Sequence, residues 1–171
     1  MIKKATVADI REMHRFLVDA AKEGEILPRP INDLYQYIRD YWVYRPRKGD
    51  PIQATTALHV CWEDLAEIRN LFVKKELRGK GLGEDLVAIC IEEAKALDVG
   101  RVFALTYRTG FFSRLGFSRA DKSTLPNKIW ADCLQCVKFP DCDEDAVIFR
   151  VGADKFTPQK NAGKKNRKRE E

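Results

Sequence analysis

The sequence has no apolar run long enough to span a bilayer, and Met1-Ile2-Lys3-Lys4 leads into polar residues without an apolar signal core. The cytoplasm is the expected compartment, and no membrane partner is expected. Neither of the two histidines lies near Cys133, Cys136 and Cys142. Three thiols, with Asp132, Asp141 or Asp143 as a fourth donor, make an incomplete zinc set, so free thiols packing a loop are expected and no metal. Without a signal, all five cysteines are expected to be reduced, and Cys61 and Cys90 fall on apolar faces. There are no internal repeats. An excess of one charge is also missing from most of the chain. Net charge is +5, yet residues 155–171 hold seven Lys/Arg and two Glu, leaving 24 of each sign elsewhere. This argues against a nucleic-acid surface on the body. The tail lacks apolar periodicity, so the organisation expected is a domain over residues 1–152 and a basic, disordered tail over 153–171. A solubilising role for it is favoured over weak contact with RNA or a membrane surface. With 171 residues, 44% of them hydrophobic, one domain with a real core is expected.

What is present centres on residues 66–97. A strand-like run ends at Val73, the loop Arg78-Gly79-Lys80-Gly81-Leu82-Gly83 follows, and then apolar residues recur at Leu82, Leu86, Cys90, Ala94 and Leu97 with helical period. A helix that begins in glycines offers unpaired main-chain N–H groups to an anion such as a diphosphate, and Arg78 and Lys80 can add charge. Two common phosphate loops do not fit. Gly83 is followed by Glu84 where the Walker pattern needs Lys, and Glu84 also stands where the dinucleotide fingerprint needs its third glycine.

Arg78, Gly81 and Gly83 do match the acetyl-CoA signature Arg/Gln-x-x-Gly-x-Gly/Ala. With Glu67 on the preceding strand and the closing box Phe112-Ser113-Arg114-Leu115-Gly116-Phe117, residues 2–151 resemble the GNAT superfamily of N-acetyltransferases. The resemblance implies an α/β (α+β) GNAT fold, a mixed, mostly antiparallel sheet flanked by helices with a splay between its two central strands. It implies acetyl-CoA as co-substrate, held by Leu71, Phe72, Val73, Arg78, Gly79, Lys80, Gly81, Leu82, Gly83 and Phe112. Among these, the strand residues 71–73 would offer a backbone N–H to the thioester carbonyl. Relatives often dimerise, so a homodimer is possible.

Strand alternation places Glu67, Arg69, Leu71 and Val73 on one face, with Ala66, Ile68, Asn70 and Phe72 on the other. Acetyl transfer needs a neutral amine, so some group must take a proton from the ammonium. Glu67 stands where many GNAT enzymes carry that general base; the alternative is a hairpin-end Glu paired with Arg69 or a cross-strand cation. Phe111-Phe112 replaces the family's aromatic pair ending in the Tyr that protonates the leaving thiolate. Because a thiol's pKa is about 8.5, the thiolate can leave unassisted. Tyr107 is a candidate for a substitute acid, with a hydrogen-bonded strand-end residue as the alternative.

The runs 105–108, 111–117 and 121–128, with Ile-Trp-x-Asp-Cys-x-x-Cys from Ile129 to Cys136, are similar to the acetyltransferase domain of N-acetylglutamate synthases, most of all the short bacterial form. This implies acetylation of the α-amine of L-glutamate, the first step of arginine synthesis, without the long form's arginine-binding domain. Another amino acid, a polyamine or a protein lysine is the alternative acceptor. Two carboxylates on the acceptor call for convergent cations: Arg69 first, Lys138 next, with Lys128 and Arg29. Elsewhere a first strand over 2–4, a helix to Lys22, a second helix over 34–40 and a final strand from Asp145 complete the expectation. The aromatic group Tyr35, Tyr37, Tyr41, Trp42 and Tyr44 is expected in core and groove lining.

Overall fold

The computed structural model describes residues 1–126 and 141–158. Its strands are β1 (Ile2–Lys4), β2 (Tyr41–Tyr44), β3 (Ala54–Trp62), β4 (Leu65–Val73), β5 (Arg101–Thr106), β6 (Ser118–Ala120) and β7 (Asp145–Arg150). They form one mixed, mostly antiparallel sheet in the order β1-β2-β3-β4-β5-β7-β6. Helices α1 (Ile10–Lys22), α2 (Ile31–Gln36), α3 (Leu82–Ala96) and α4 (Thr109–Arg114) flank it.

The amphipathic stripe of α3 buries Leu86, Val87, Cys90, Ile91 and Ala94 against one face of the sheet, with Phe112 and Leu115 from the α4 region beside them. On the other face α1 buries Ile10, Met13 and Leu17 against Leu34, Tyr41 and Val43. Each such large apolar side chain contributes roughly 1.5–3 kcal/mol by leaving water. The second helix is earlier and shorter than expected. Pro30, with φ of −58°, sets up its first turn, and Tyr37, at φ −110°, leaves the helical region before a 3-10 turn over Ile38–Asp40. Strand β6 carries too few residues to show a period in sequence, and only its pairing with β7 defines it.

The two central strands pair in parallel only at Leu65↔Arg101, Ala66↔Val102 and Glu67↔Phe103. Beyond Glu67 they part, which is the splay the resemblance implied. The β3–β4 hairpin holds two bulges. Near the turn, Val60 pairs with Ala66 and Trp62 with Leu65, so β3 carries an extra residue. Further on, Ala57 pairs with Arg69 and Thr55 with Phe72, so β4 carries one. Asn70, with φ of 50°, sits in that second bulge.

The second bulge corrects the alternation read from sequence. Leu71 and Val73 do not share a face with Glu67. They pack with Leu82 and Leu86 on the α3 side, whereas Phe72 turns to the α1 side and meets Phe16 edge-on at 5.4 Å. One extra residue reverses every side chain after it.

Residues 153–158, grouped with the tail by composition, fold back on the body. Phe156 packs against the α3-side core, and the Thr157 amide donates to the Leu115 carbonyl at 3.2 Å. Gly116 permits this return, because a Cβ there would lie 2.3 Å from the Lys155 carbonyl oxygen. Gly116→Ala is therefore expected to destabilise the fold by about 2 kcal/mol or more, read by denaturant titration; an unshifted midpoint would show that the strap does not contribute.

Candidate active site

Glu67 lies at the point where β4 and β5 separate, and is 8% exposed. The Arg69 Nε donates to its carboxylate, and both side chains are about nine-tenths buried. Behind them, the Tyr41 hydroxyl donates to Asn70 Oδ1 at 2.9 Å, tying β2 to the bulge. Burial pushes the Tyr41 phenol up to about 12, so it stays a fixed donor at neutral pH. Arg69 thus faces both the base candidate and the space in front of it.

That space is a cleft of about 970 Å³ between the diverging strands, lined by Glu67, Arg69 and residues 70–73 of β4, by Leu105 and Thr106 of β5, and by the α1–α2 loop. Past Glu67 no strand among the described residues pairs with β4 on the β5 side, which leaves that main-chain edge toward the slot. At the far end α3 begins. Gly81, the N-cap, holds φ of 84°, a left-handed turn that only glycine takes cheaply, and its carbonyl accepts from the Asp85 amide at 3.0 Å. The amides of Leu82, Gly83 and Glu84 come before that first bond and have no acceptor within the helix.

Of the residues expected to hold a cofactor, Leu71, Phe72, Val73, Arg78, Gly79, Gly83 and Phe112 line the cleft. Lys80, Gly81 and Leu82 are not on its wall. The Lys80 ammonium turns away to the Glu76 carbonyl at 3.0 Å, and Leu82 packs with Leu86. Phe112 is chiefly core, 4% exposed, with Phe111 and Phe117 edge-on at 5.2 and 5.1 Å. Tyr107 lines the cleft with its hydroxyl on the Asp143 carboxylate. Arg29 also lines the cleft. Lys128, Lys138, Cys133 and Cys136 lie outside the described residues. Cys142 is a free, partly exposed thiol on the cleft wall.

Arg78 is more engaged than its place in the motif suggests. Its Nε donates to the Val73 carbonyl at 2.8 Å, and another nitrogen meets Glu25 at 3.1 Å. Arg108, before α4, meets the second oxygen of Glu25 at 2.7 Å. One carboxylate from the α1–α2 loop therefore clasps both banks of the cleft. Burial opposes the charge on Glu25, but the two arginines outweigh it and hold its carboxyl below the usual range. Sequence places Glu25 in the loop expected to line the acceptor site but gives no sign of this clasp, because its partners lie 53 and 83 residues away.

His59 was passed over. It pairs with Glu67 across the hairpin, and its Nδ1 lies 2.7 Å from Asp40. Counting outward from the Glu63-Asp64 turn would have put Val60 opposite Glu67. The bulge near the turn moves His59 into that place.

The fold agrees with that of known proteins. A family model described as acetyltransferase (GNAT) family matches residues 10–117. An uncharacterized N-acetyltransferase of Chlorobaculum tepidum is 38% identical over 151 residues, covering 86% of this chain and 94% of the relative. An amino-acid acetyltransferase of Mycobacterium tuberculosis is 30% identical over 131 residues, 76% of this chain and 75% of that one. The solved N-acetylglutamate synthase of Neisseria gonorrhoeae, complexed with coenzyme A and N-acetyl-glutamate, superposes with a TM-score of 0.77 at 25% identity, covering 88% of this chain and 35% of that one. A strand that parts from its neighbour at a buried glutamate, a glycine-led helix and the match over residues 10–117 converge on one conclusion: this chain is a member of the GNAT family of N-acetyltransferases.

Proposed function

We propose that this N-acetyltransferase moves the acetyl group of acetyl-CoA to the α-amine of L-glutamate. The observation that carries this reading is the buried Glu67–Arg69 pair on the floor of the cleft, a proton acceptor and a cation side by side. The amino-acid acetyltransferase relative and the solved neighbour holding N-acetyl-glutamate support it. The chain fits coenzyme A as well, since the amides at the start of α3 suit a diphosphate and the slot beyond Glu67 admits an extended arm. When bound, the coenzyme supplies an activated thioester.

The chain's own work is then to bind, orient and move protons. Glu67 takes a proton from the incoming ammonium, since only the free amine has a lone pair with which to attack. Arg69, with Arg29 on the same cleft, receives the acceptor's carboxylates. No acid stands at Phe112, and the thiolate leaves without one. Thiol release measured across glutamate, glutamine, aspartate, ornithine and a polyamine tests the reading. Glutamate far ahead supports it. Ornithine or the polyamine ahead would establish another amine as the acceptor instead.

Arg69→Ala is expected to raise the glutamate KM tenfold or more, roughly 1.4 kcal/mol of binding. Because Arg69 also holds Glu67, kcat falls with it. A fall in kcat at unchanged KM would assign Arg69 to the base alone.

A further inference from the structure

An ammonium that becomes an amide gives up two protons. One ends on the thiol, and the other must leave a site where Glu67 is 8% exposed and ion-paired. We propose that the His59–Asp40 pair carries that second proton from Glu67 to solvent, with His59 as a positioning and relay residue behind the base. The inference rests on Glu67 being the base.

Three observations carry it. First, His59 and Glu67 are directly paired across β3 and β4. Their side chains share a face with Cβ atoms roughly 4.5–5.5 Å apart, within reach of one bridging water. Second, the His59 Nδ1 is 2.7 Å from Asp40 Oδ2. A carboxylate only accepts, so in the neutral ring Nδ1 carries the hydrogen and Nε2 keeps the lone pair. Third, exposure rises along the path, from 11% at the Glu67 side chain to 20% at the His59 side chain. A chamber of about 10 Å³, the room of a single water, adjoins His59, Asp40 and Arg69.

The groups that face His59 are Asp40 on the 3-10 turn, Tyr37 edge-on at 5.0 Å, Glu67 across the ladder, and Arg29, Asp33, Tyr41 and Arg69 around the chamber. The step balances without a further reactant. The ammonium N–H breaks as the Glu67 O–H forms; the Glu67 O–H then breaks as N–H forms at His59 Nε2. The imidazolium returns the proton to bulk water, and Asp40 holds the ring in place through Nδ1.

The experiment is steady-state turnover across pH in lightly buffered solution. His59→Gln is expected to lower kcat about tenfold, with KM for acetyl-CoA and the amine unchanged, and to remove an ionisation from the kcat profile. Imidazole is expected to restore turnover in His59→Ala. Asp40→Asn, a near-isosteric change, is expected to lower kcat and shift the same ionisation, which keeps the test decisive if a His59 variant folds poorly. Wild-type kcat in His59→Gln at every pH would overturn the relay, as would a loss that imidazole leaves untouched. Glu67→Gln, assayed alongside, separates the failures: if it keeps turnover, the base assignment falls, whereas an inactive Glu67→Gln beside an unimpaired His59→Gln removes the relay alone.

Discussion

Replacing Glu67 with glutamine is expected to lower kcat by about 10²–10⁴-fold and to leave coenzyme A affinity unchanged. Glutamine keeps the shape of the side chain, and its carbonyl oxygen can still accept from the Arg69 Nε, so the ion pair is replaced by a hydrogen bond with little packing change. What it cannot do is take a proton. The amine must then arrive already neutral, and its neutral fraction falls tenfold for each pH unit below its own pKa. The deficit of the variant should accordingly narrow as pH rises. The α3 amides proposed to hold the coenzyme lie at the other end of the cleft, so calorimetric titration of coenzyme A separates binding from chemistry. Full turnover in Glu67→Gln would leave Glu67 as a hairpin-end partner of Arg69 and nothing more.

The second large effect is on stability. Arg45, at the end of β2, donates to Asp9 at 2.8 Å and to both oxygens of Glu12 at 2.7 and 3.1 Å, while the Ile52 amide donates to Glu12 at 2.6 Å. This knot pins the start of α1 to the sheet, with Arg45 13% exposed and Asp9 8%. Arg45→Ala leaves two carboxylates facing each other with their shared cation gone, and is expected to cost about 3–5 kcal/mol in chemical denaturation near neutral pH. For both acids burial opposes the charge, yet hydrogen bonds outweigh it. Arg45 and Thr6 hold Asp9 below its ordinary 3.8, and Arg45 and the Ile52 amide hold Glu12 below its ordinary 4.5. A depressed folded value means that the contribution is complete above the unfolded values and fades as pH drops below them. The wild type should therefore lose stability steeply below about pH 4.5, whereas Arg45→Ala, having lost the cation, should lose less over the same window. Parallel slopes would show that the knot does not govern acid stability.

The glycine-led helix, the central strand with its acid and the aromatic box were legible in sequence because each depends on local spacing. Gly81 must be glycine to turn left-handed at the helix start, and α3 repeats its apolar residues every three or four positions, so motif and period appear together along the chain. Composition likewise fixed the balanced body and the basic end. Sequence by itself thus determined the family, the co-substrate class the loop suits, and Glu67 with Arg69 as the pair to watch.

What surrounds that pair was decided in three dimensions. Two single-residue bulges in the β3–β4 hairpin set which side chains look into the site. One brings His59 level with Glu67; the other, at Asn70, sends Leu71 and Val73 to the α3 face. A strand's side chains alternate with a period of two, so one inserted residue inverts the pattern, and nothing in a run of strand-forming residues marks where the insertion falls. The Glu25 clasp and the Arg45 knot join residues tens of positions apart. Such pairings follow from how the helices and strands pack, which no local period encodes.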